Sequence, residues 1–327
     1  MENRNNEFSY FEDSYSAVNR LFLNIFTEDG NKMKELCEII DKNRVIYGAP
    51  LKEHIAFKVG GPCYALVLPD CPEEITAVID WCSENERGFW ILGNGTNVIA
   101  PDEGYEGVVI KIGESFNRIT VEGTTVRAQA GALMSSLSNK VCEEGLSGLE
   151  FAGGIPGSVG GGTVMNAGAY GGELKNTITK VRALKDGKIL EIPADDCEFG
   201  YRKSIFQSGD YVVLEAEFEL EKGEKEVIRA EIDELNRRRR EKQPLNYPSA
   251  GSTFKRPEGH FAGRLIEDCG LKGLSVGGAA VSDMHAGFVI NKGGATASDI
   301  LSLIELIRNT VFDRFGVKLE PEVRIIR

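Results

Sequence analysis

The stretch Phe151–Glu173 reads FAGGIPGSVGGGTVMNAGAYGGE, and it limits what this chain can fold into more than any other. Nine of its 23 residues are glycine, and no charge occurs before Glu173. A flexible linker is rich in glycine and serine and otherwise polar. This segment instead carries Ile155, Pro156, Val159, Val164, Met165 and Tyr170 among its glycines, which predicts ordered and buried backbone. Glycine lets another group approach the main chain without a Cβ in the way. Several N–H groups exposed in one concave loop make a seat for phosphate oxygens. The alternative reading is a glycine-rich turn packed inside a sheet protein.

With 327 residues the chain can build two or three domains with real cores. Its net charge of −12 argues against nucleic acid or an acidic membrane surface as a general partner. An anion is then held only by a local cluster of donors. No apolar run has the length of a membrane-spanning helix, and the polar start MENRNNEFSYFEDSYS has no signal-peptide core. The seven cysteines are scattered and form no CxxC pair, so they read as reduced thiols of a cytoplasmic protein. His54, His260 and His285 are too dispersed for a metal site, and no metal is expected.

Residues 1–30 show only weak periodicity, while Met33, Leu36, Ile39 and Ile40 predict a helix over Lys32–Asn43. Strands are expected over Tyr64–Pro69, Trp90–Leu92 and Val108–Ile112, and a helix over Pro72–Arg87 with Pro72 in its first turn. Arg118–Ala130 alternates as a hairpin turning at Gly123, and Leu133–Glu144 reads as a helix. Val181–Leu184 and Ile189–Ile192 flank Asp186-Gly187, a strong hairpin signal, and Tyr211–Leu220 is a long alternating strand. The charged, patternless stretch Glu221–Lys225 sets a domain boundary, giving an N-terminal extension over 1–43 and domains over 44–223 and 224–327. In the second, Val227–Lys242 and Gly263–Cys269 read as helices and Ala286–Ile290 and Val323–Ile326 as strands. Thr296–Phe315 is the clearest helix, with a stripe of Ile300, Leu303, Ile304, Ile307, Val311 and Phe315 and capping-box spacing from Thr296 to Asp299. The mixture of strands and helices is α+β.

Several motifs carry chemistry. Gly93-Asn94-Gly95-Thr96-Asn97 follows an apolar strand and offers free N–H groups and side-chain donors for phosphate, although NGTN is also an ordinary turn. Neither glycine segment fits GxGxxG, and no GxxxxGK[ST] occurs, so ATP hydrolysis is disfavoured. A dinucleotide lying between two glycine-rich loops needs no basic residue for its pyrophosphate, which suits an acidic chain. Arg202 stands between Phe199 and Phe206, as a carboxylate clamp or as a surface arginine over apolar neighbours. Ser252, in AGSTFKRP, is outside any GxSxG elbow; it is a proton donor, a ligand contact or part of a polar loop. Glu322, between Pro321 and Val323, is either a buried carboxyl suited to proton transfer or an edge-strand partner of Arg324. The basic run Arg237–Arg240 lacks interleaved aromatics, and on a helix its members point in four directions. It is a solvated helix end or a rim for an anionic substrate.

Taken in order, these blocks resemble the UDP-N-acetylenolpyruvoylglucosamine reductase (MurB) family of flavoenzymes. The resemblance is carried by HIAFKVGGP (54–62), ILGNGTNVIAPDEGYEGVVI (91–110) and GLEFAGGIPGSVGGGTVMNAGAYGGE (148–173). It continues with YRKSIF (201–206), PSAGSTFKRP (248–257), LIEDCGLKGLSVGGAAVSDMHAGFVIN (265–291) and LEPEVRII (319–326). It covers roughly 44–327. It implies a two-lobed FAD-binding domain of the PCMH/vanillyl-alcohol-oxidase type, with lobes of about 44–113 and 114–223. A smaller α+β substrate-binding domain follows, with 317–327 returning to the active site.

The resemblance further implies NADPH-dependent, FAD-mediated reduction of UDP-N-acetylglucosamine enolpyruvate to UDP-N-acetylmuramate in peptidoglycan precursor synthesis. Hydride passes from flavin N5 to the terminal methylene and a serine protonates the adjacent carbon. Carried over by position, Ser252 is that donor, and Arg202 and Glu322 stabilise the carboxylate as enolate charge develops. The cofactor is expected at Gly93, Asn94, Gly95, Thr96 and Asn97 on one loop. On the other it is expected at Gly153, Gly154, Ile155, Pro156, Gly157 and Ser158, then Gly161, Asn166 and Gly168. Arg256, Lys272 and His285 fall at the nucleotide-sugar. Ile55 and Ala56 replace a hydroxyl pair common in the family, and no insertion separates YRKSIF from YVVLEAEFEL. The chain therefore resembles the short, second type, which lacks the tyrosine loop that covers substrate. A monomer is expected.

Overall fold

The computed structural model describes residues 35–327. The expectation for residues 1–30 and the start of the Lys32–Asn43 helix lie outside them. The described part of that span forms two single 3-10 turns, Leu36–Glu38 and Lys42–Arg44, instead of a helix. Asp41 divides them, because its side chain accepts from Asn43 N–H, the local bond by which aspartate competes with a helix. Leu36 and Ile40 are buried all the same, so their spacing reported burial and not helix.

The first lobe holds β1 (Val45–Tyr47), β2 (Cys63–Val67), α1 (Pro72–Glu84), β3 (Phe89–Leu92), β4 (Val98–Ile99) and β5 (Tyr105–Lys111). Its sheet runs β1-β2-β5-β3, antiparallel at β1 and parallel elsewhere. The α1 helix stops three residues short of the expected Arg87; Glu86 takes a positive φ of 50° that no helix continues through. Both sheet faces are apolar for a reason. Ala65, Val67, Val108 and Ile110 enter a core shared with α1 and the second lobe, while Leu66, Leu92 and Val109 enter one shared with the C-terminal region. A strand buried on both faces reads as a continuous apolar run.

The second lobe holds β6 (Ile119–Glu122), β7 (Thr125–Gln129), α2 (Met134–Glu143), β8 (Leu146–Ser147), α3 (Val159–Met165), β9 (Gly168–Ala169) and β10 (Gly172–Glu173). It continues with β11 (Ile178–Lys185), β12 (Lys188–Pro193), β13 (Val212–Glu219) and β14 (Glu221–Lys222). Five of these strands form an antiparallel sheet in the order β12-β11-β13-β7-β6. The β11–β12 turn has positive φ at both Asp186 and Gly187, as a two-residue hairpin requires. The glycine segment is a 3-10 turn (Glu150–Gly154), then α3, then the β9–β10 ribbon. Ser158 caps α3 by accepting from Gly161 N–H. Gly160 has no room for a side chain: a Cβ there would lie 2.8 Å from that of Ala130. The segment is ordered, but Pro156 is exposed and Tyr170 is 46% exposed, because both line a cavity.

The C-terminal part comprises α4 (Lys225–Lys242), α5 (Ala262–Asp268), β15 (Ser275–Val276), β16 (Ala279–Val281), β17 (Val289–Asn291), α6 (Ala297–Phe315) and β18 (Arg324–Ile325). Ile228 and Ile232 of α4 pack against Cys142 of α2, so this helix lies on the second lobe. The α6 stripe is buried from Ile300 to Val311, and the Thr296–Asp299 capping box is formed. Phe315 departs from the expected stripe: it is 39% exposed at the last helical position, before the left-handed Gly316. Asp102, in the β4–β5 loop, accepts from the N–H groups of Ala297 and Ser298 at 2.7 and 2.9 Å and ties the first lobe to α6. Strand β18 then pairs in parallel with β4, Arg324 beside Val98.

Candidate active site

Arg202 sits in a two-residue turn closed by main-chain bonds between Gly200 and Lys203, at a positive φ of 53°. That strained conformation directs its guanidinium inward, where it meets three acceptors. Its Nε donates to Glu322 Oε1 at 2.8 Å, Nη2 to Gly168 O at 2.8 Å and Nη1 to Asn166 O at 3.5 Å. Glu322 is delivered from the far end of the chain by two ladders. Its N–H donates to Thr253 O at 2.8 Å, and Asn97 Nδ2 donates to its carbonyl at 3.2 Å. The first ladder also fixes the loop bearing Ser252, since Lys255 N–H donates to Glu320 O. Burial raises the Glu322 carboxyl above its ordinary pKa, and the neighbouring Arg202 only partly opposes this. A protonated carboxyl beside a guanidinium offers a hydrogen bond to an anion as well as a positive charge. The pair is Arg202–Glu322; Arg324 instead lies near the Trp90 ring, 5.6 Å from its centre.

Two cavities, of about 950 and 960 Å³, meet at these groups. Gly168, Ala169, Tyr170, Arg202, Ser252 and His285 line both. Glu322 lines the larger one alone. That cavity is walled by the loop Gly93–Asn97 on one side and by Gly154, Ile155, Pro156, Gly157, Ser158 and Gly161 on the other. Asn94 Nδ2 donates to Pro156 O at 2.5 Å and clasps the two loops together. Gly95 takes a φ of 66° with His54 O close behind, a position closed to any side chain. Among the described residues, the N–H groups of Asn94, Gly95, Thr96 and Gly157 have no acceptor within the chain. Unpaired main-chain donors in a concave wall fit a pyrophosphate. Ala56 also lines this wall.

Two residues expected at the cofactor do not line the cavity. Gly153 lies behind the wall against Ile232 and Ser138. Asn166 is fully buried, and its amide is used inside the chain: Nδ2 donates to Glu173 and to Gly200 O, and Oδ1 accepts from Lys175 N–H. It holds the turn that carries Arg202. The smaller cavity is lined by Arg256, Lys272 and His285. Lys272 is tied to Glu267 at 2.8 Å. Burial holds His285 below its ordinary pKa, and its Nδ1 accepts from Gly287 N–H, leaving Nε2–H free to donate.

The basic run Arg237–Arg240, expected as a solvated helix end or a rim for an anionic substrate, divides in the structure. Arg237 and Arg238 are solvated and paired with Glu234. Arg239 turns into the larger cavity over Gly154, and burial lowers its pKa. The sequence held the signal. Ile228, Ile232 and Arg239 lie at i, i+4 and i+11, one stripe of a helix whose apolar members are buried. Arg324, two residues from Glu322, also lines this wall. Among the described residues no cluster of His, Cys, Asp or Glu could hold a metal ion, and no helix is long and apolar enough to cross a membrane.

Residues 63–193 match an FAD binding domain, and residues 243–326 match the C-terminal domain of UDP-N-acetylenolpyruvoylglucosamine reductase. The chain is 47% identical over 294 residues to the UDP-N-acetylenolpyruvoylglucosamine reductase of Alkaliphilus oremlandii, covering 90% of this chain and 97% of that one. It is 50% identical over 297 residues to that of Clostridium botulinum, with the same coverage. The crystal structure of the Thermus caldophilus reductase superposes with a TM-score of 0.75 at 35% identity, covering 86% of this chain and 98% of that one. The chain is thus a flavin-dependent oxidoreductase and belongs to the UDP-N-acetylenolpyruvoylglucosamine reductase family.

Proposed function

We propose that this chain reduces the enolpyruvyl ether of UDP-N-acetylglucosamine enolpyruvate to the lactyl ether of UDP-N-acetylmuramate, with NADPH as reductant. The observation that carries this is the Arg202–Glu322 pair, 2.8 Å apart, with Ser252 on the wall that both cavities share. The bound flavin supplies the hydride chemistry between NADPH and the enolpyruvyl double bond. The chain's own residues do the rest. Main-chain donors of Asn94, Gly95, Thr96 and Gly157 hold the cofactor's pyrophosphate. Arg202 binds the substrate carboxylate and answers the charge that grows on it when hydride reaches the methylene carbon. Burial favours the protonated form of Glu322, and in that form it donates to the same carboxylate. Ser252 Oγ then gives its proton to the adjacent carbon; a serine is a weak acid and serves only against so basic a carbanion. Arg256 and His285 take the nucleotide-sugar in the smaller cavity.

The test is anaerobic and has two stages. NADPH should bleach the visible flavin absorbance of the purified protein, and UDP-N-acetylglucosamine enolpyruvate should restore it. A flavin that bleaches and stays bleached would assign another substrate, and a colourless protein with no retained FAD would remove the flavin chemistry altogether.

A further inference from the structure

The smaller cavity continues past the reacting groups. Phe261, just before α5, is 62% exposed, yet its ring forms part of the cavity wall. The Arg256 guanidinium lies over that ring, 4.1 Å from its centre. Arg256 N–H donates to Tyr201 Oη at 3.1 Å, and the Tyr201 ring lies 5.2 Å from the Arg202 guanidinium. A run of contacts therefore leads from Glu322 through Arg202, Tyr201 and Arg256 to Phe261. The charges along it are unequal. Arg202 is paired with Glu322, Lys272 with Glu267 and Arg264 with Asp268. Among the described residues Arg256 has no carboxylate within ion-pair distance, although it lines the same cavity. A guanidinium held flat on an aromatic ring keeps its N–H edges free for phosphate oxygens.

We infer that Phe261 is a specificity residue for the nucleoside end of the substrate: its ring stacks the nucleobase, beside the diphosphate that Arg256 takes. One exposed ring alone needs no explanation. The order is what carries the inference. From Arg202 outward the cavity presents a carboxylate site, an unneutralised guanidinium and an open aromatic face. A nucleotide-sugar bearing an enolpyruvyl group presents a carboxylate, a diphosphate and a flat base in that order. Stacking adds no charge requirement, because an aromatic face attracts a base without charge. The inference rests on the substrate reading above.

Phe261→Leu keeps an apolar side chain of similar bulk and removes the ring. Calorimetric titration of the oxidised holoenzyme with UDP and, separately, with inorganic pyrophosphate reads the effect. UDP should bind the variant about tenfold more weakly, as expected for a lost stacking partner, and pyrophosphate within about twofold of the wild type. Phe261→Trp should restore UDP binding, and Arg256→Ala should weaken both ligands. In turnover Phe261→Leu should raise KM by a similar factor with kcat little moved, the mark of binding made equally in ground and transition states. Unchanged UDP affinity in Phe261→Leu, equal losses for both ligands, or no rescue by tryptophan would overturn the base platform. A wild-type holoenzyme that binds UDP but is not reoxidised by the enolpyruvate would instead overturn the reaction assignment, and the platform would still be judged by the calorimetry.

Discussion

At the scale of single residues, three side chains from positions 202, 252 and 322 line one cavity and are proposed to act on one small group of substrate atoms. Their proposed roles separate by experiment. Ser252→Ala should leave reduction by NADPH intact and slow reoxidation by the enolpyruvate at least ~10²-fold, the usual worth of a positioned acid; stopped-flow absorbance reads both, and equal losses in the two halves would contradict the role. Glu322 gives a pH dependence whose sign is set by its burial. The folded chain holds this proton to higher pH than the unfolded chain, since burial raises the carboxyl. That contribution to stability is complete below the ordinary carboxyl pKa and is lost as pH rises through the raised value. The same loss removes a hydrogen-bond donor from the substrate carboxylate. Reoxidation should therefore slow as pH climbs through that window, and Glu322→Gln, which cannot ionise, should flatten the limb. Ser252 and Glu322 were legible as residues to watch, but sequence alone left a polar loop and an edge-strand ion pair open. The ladder from Glu322 N–H to Thr253 O brings both to one wall.

At the scale of elements, helices do more than fill the core. The α4 helix carries four arginines in succession, and its rotation divides them between water and the cofactor cavity. Arg239→Gln should weaken FAD retention by about tenfold, the cost of losing one charge-assisted contact, while Arg237→Gln should leave it unchanged; flavin-to-protein absorbance after dialysis distinguishes them. The α6 helix is capped twice, by its own Thr296 and by Asp102 from the first lobe. Asp102→Ala should cost about 1 kcal/mol in urea unfolding, the ordinary worth of an N-cap. Element existence was largely readable. The α6 stripe, the Asp186-Gly187 hairpin and the Ser158 region all report local chemistry. The failure at Lys32–Asn43 came from reading burial spacing as helix where Asp41 supplies a competing local bond.

At the scale of the whole molecule, the cores do not follow chain order. The four-stranded sheet of the first lobe is a shared wall, with Val67 and Ile110 facing one core and Leu66 and Val109 the other. Neither core can melt without baring an apolar face of that sheet. Calorimetric unfolding should therefore show one transition whose van't Hoff and calorimetric enthalpies agree; two resolved peaks would mean the halves are independent. The C-terminal strand reinforces this, because β18 crosses back to β4 and brings Glu322 and Arg324 with it.

Sequence by itself determined the chemistry available to this chain: two glycine loops able to seat a pyrophosphate, an arginine, a serine and a glutamate of the right types, and elements whose periodicity is local. The tertiary structure decided where those residues meet. It turned Arg239 into the larger cavity and kept Asn166 out of it, paired Arg202 with Glu322 across 120 positions of chain, and laid Arg256 on Phe261. The physical reason is the same in each case. Conformational preference is a property of neighbouring residues, whereas burial, pairing and proton affinity depend on groups that only the folded chain brings within a few ångströms.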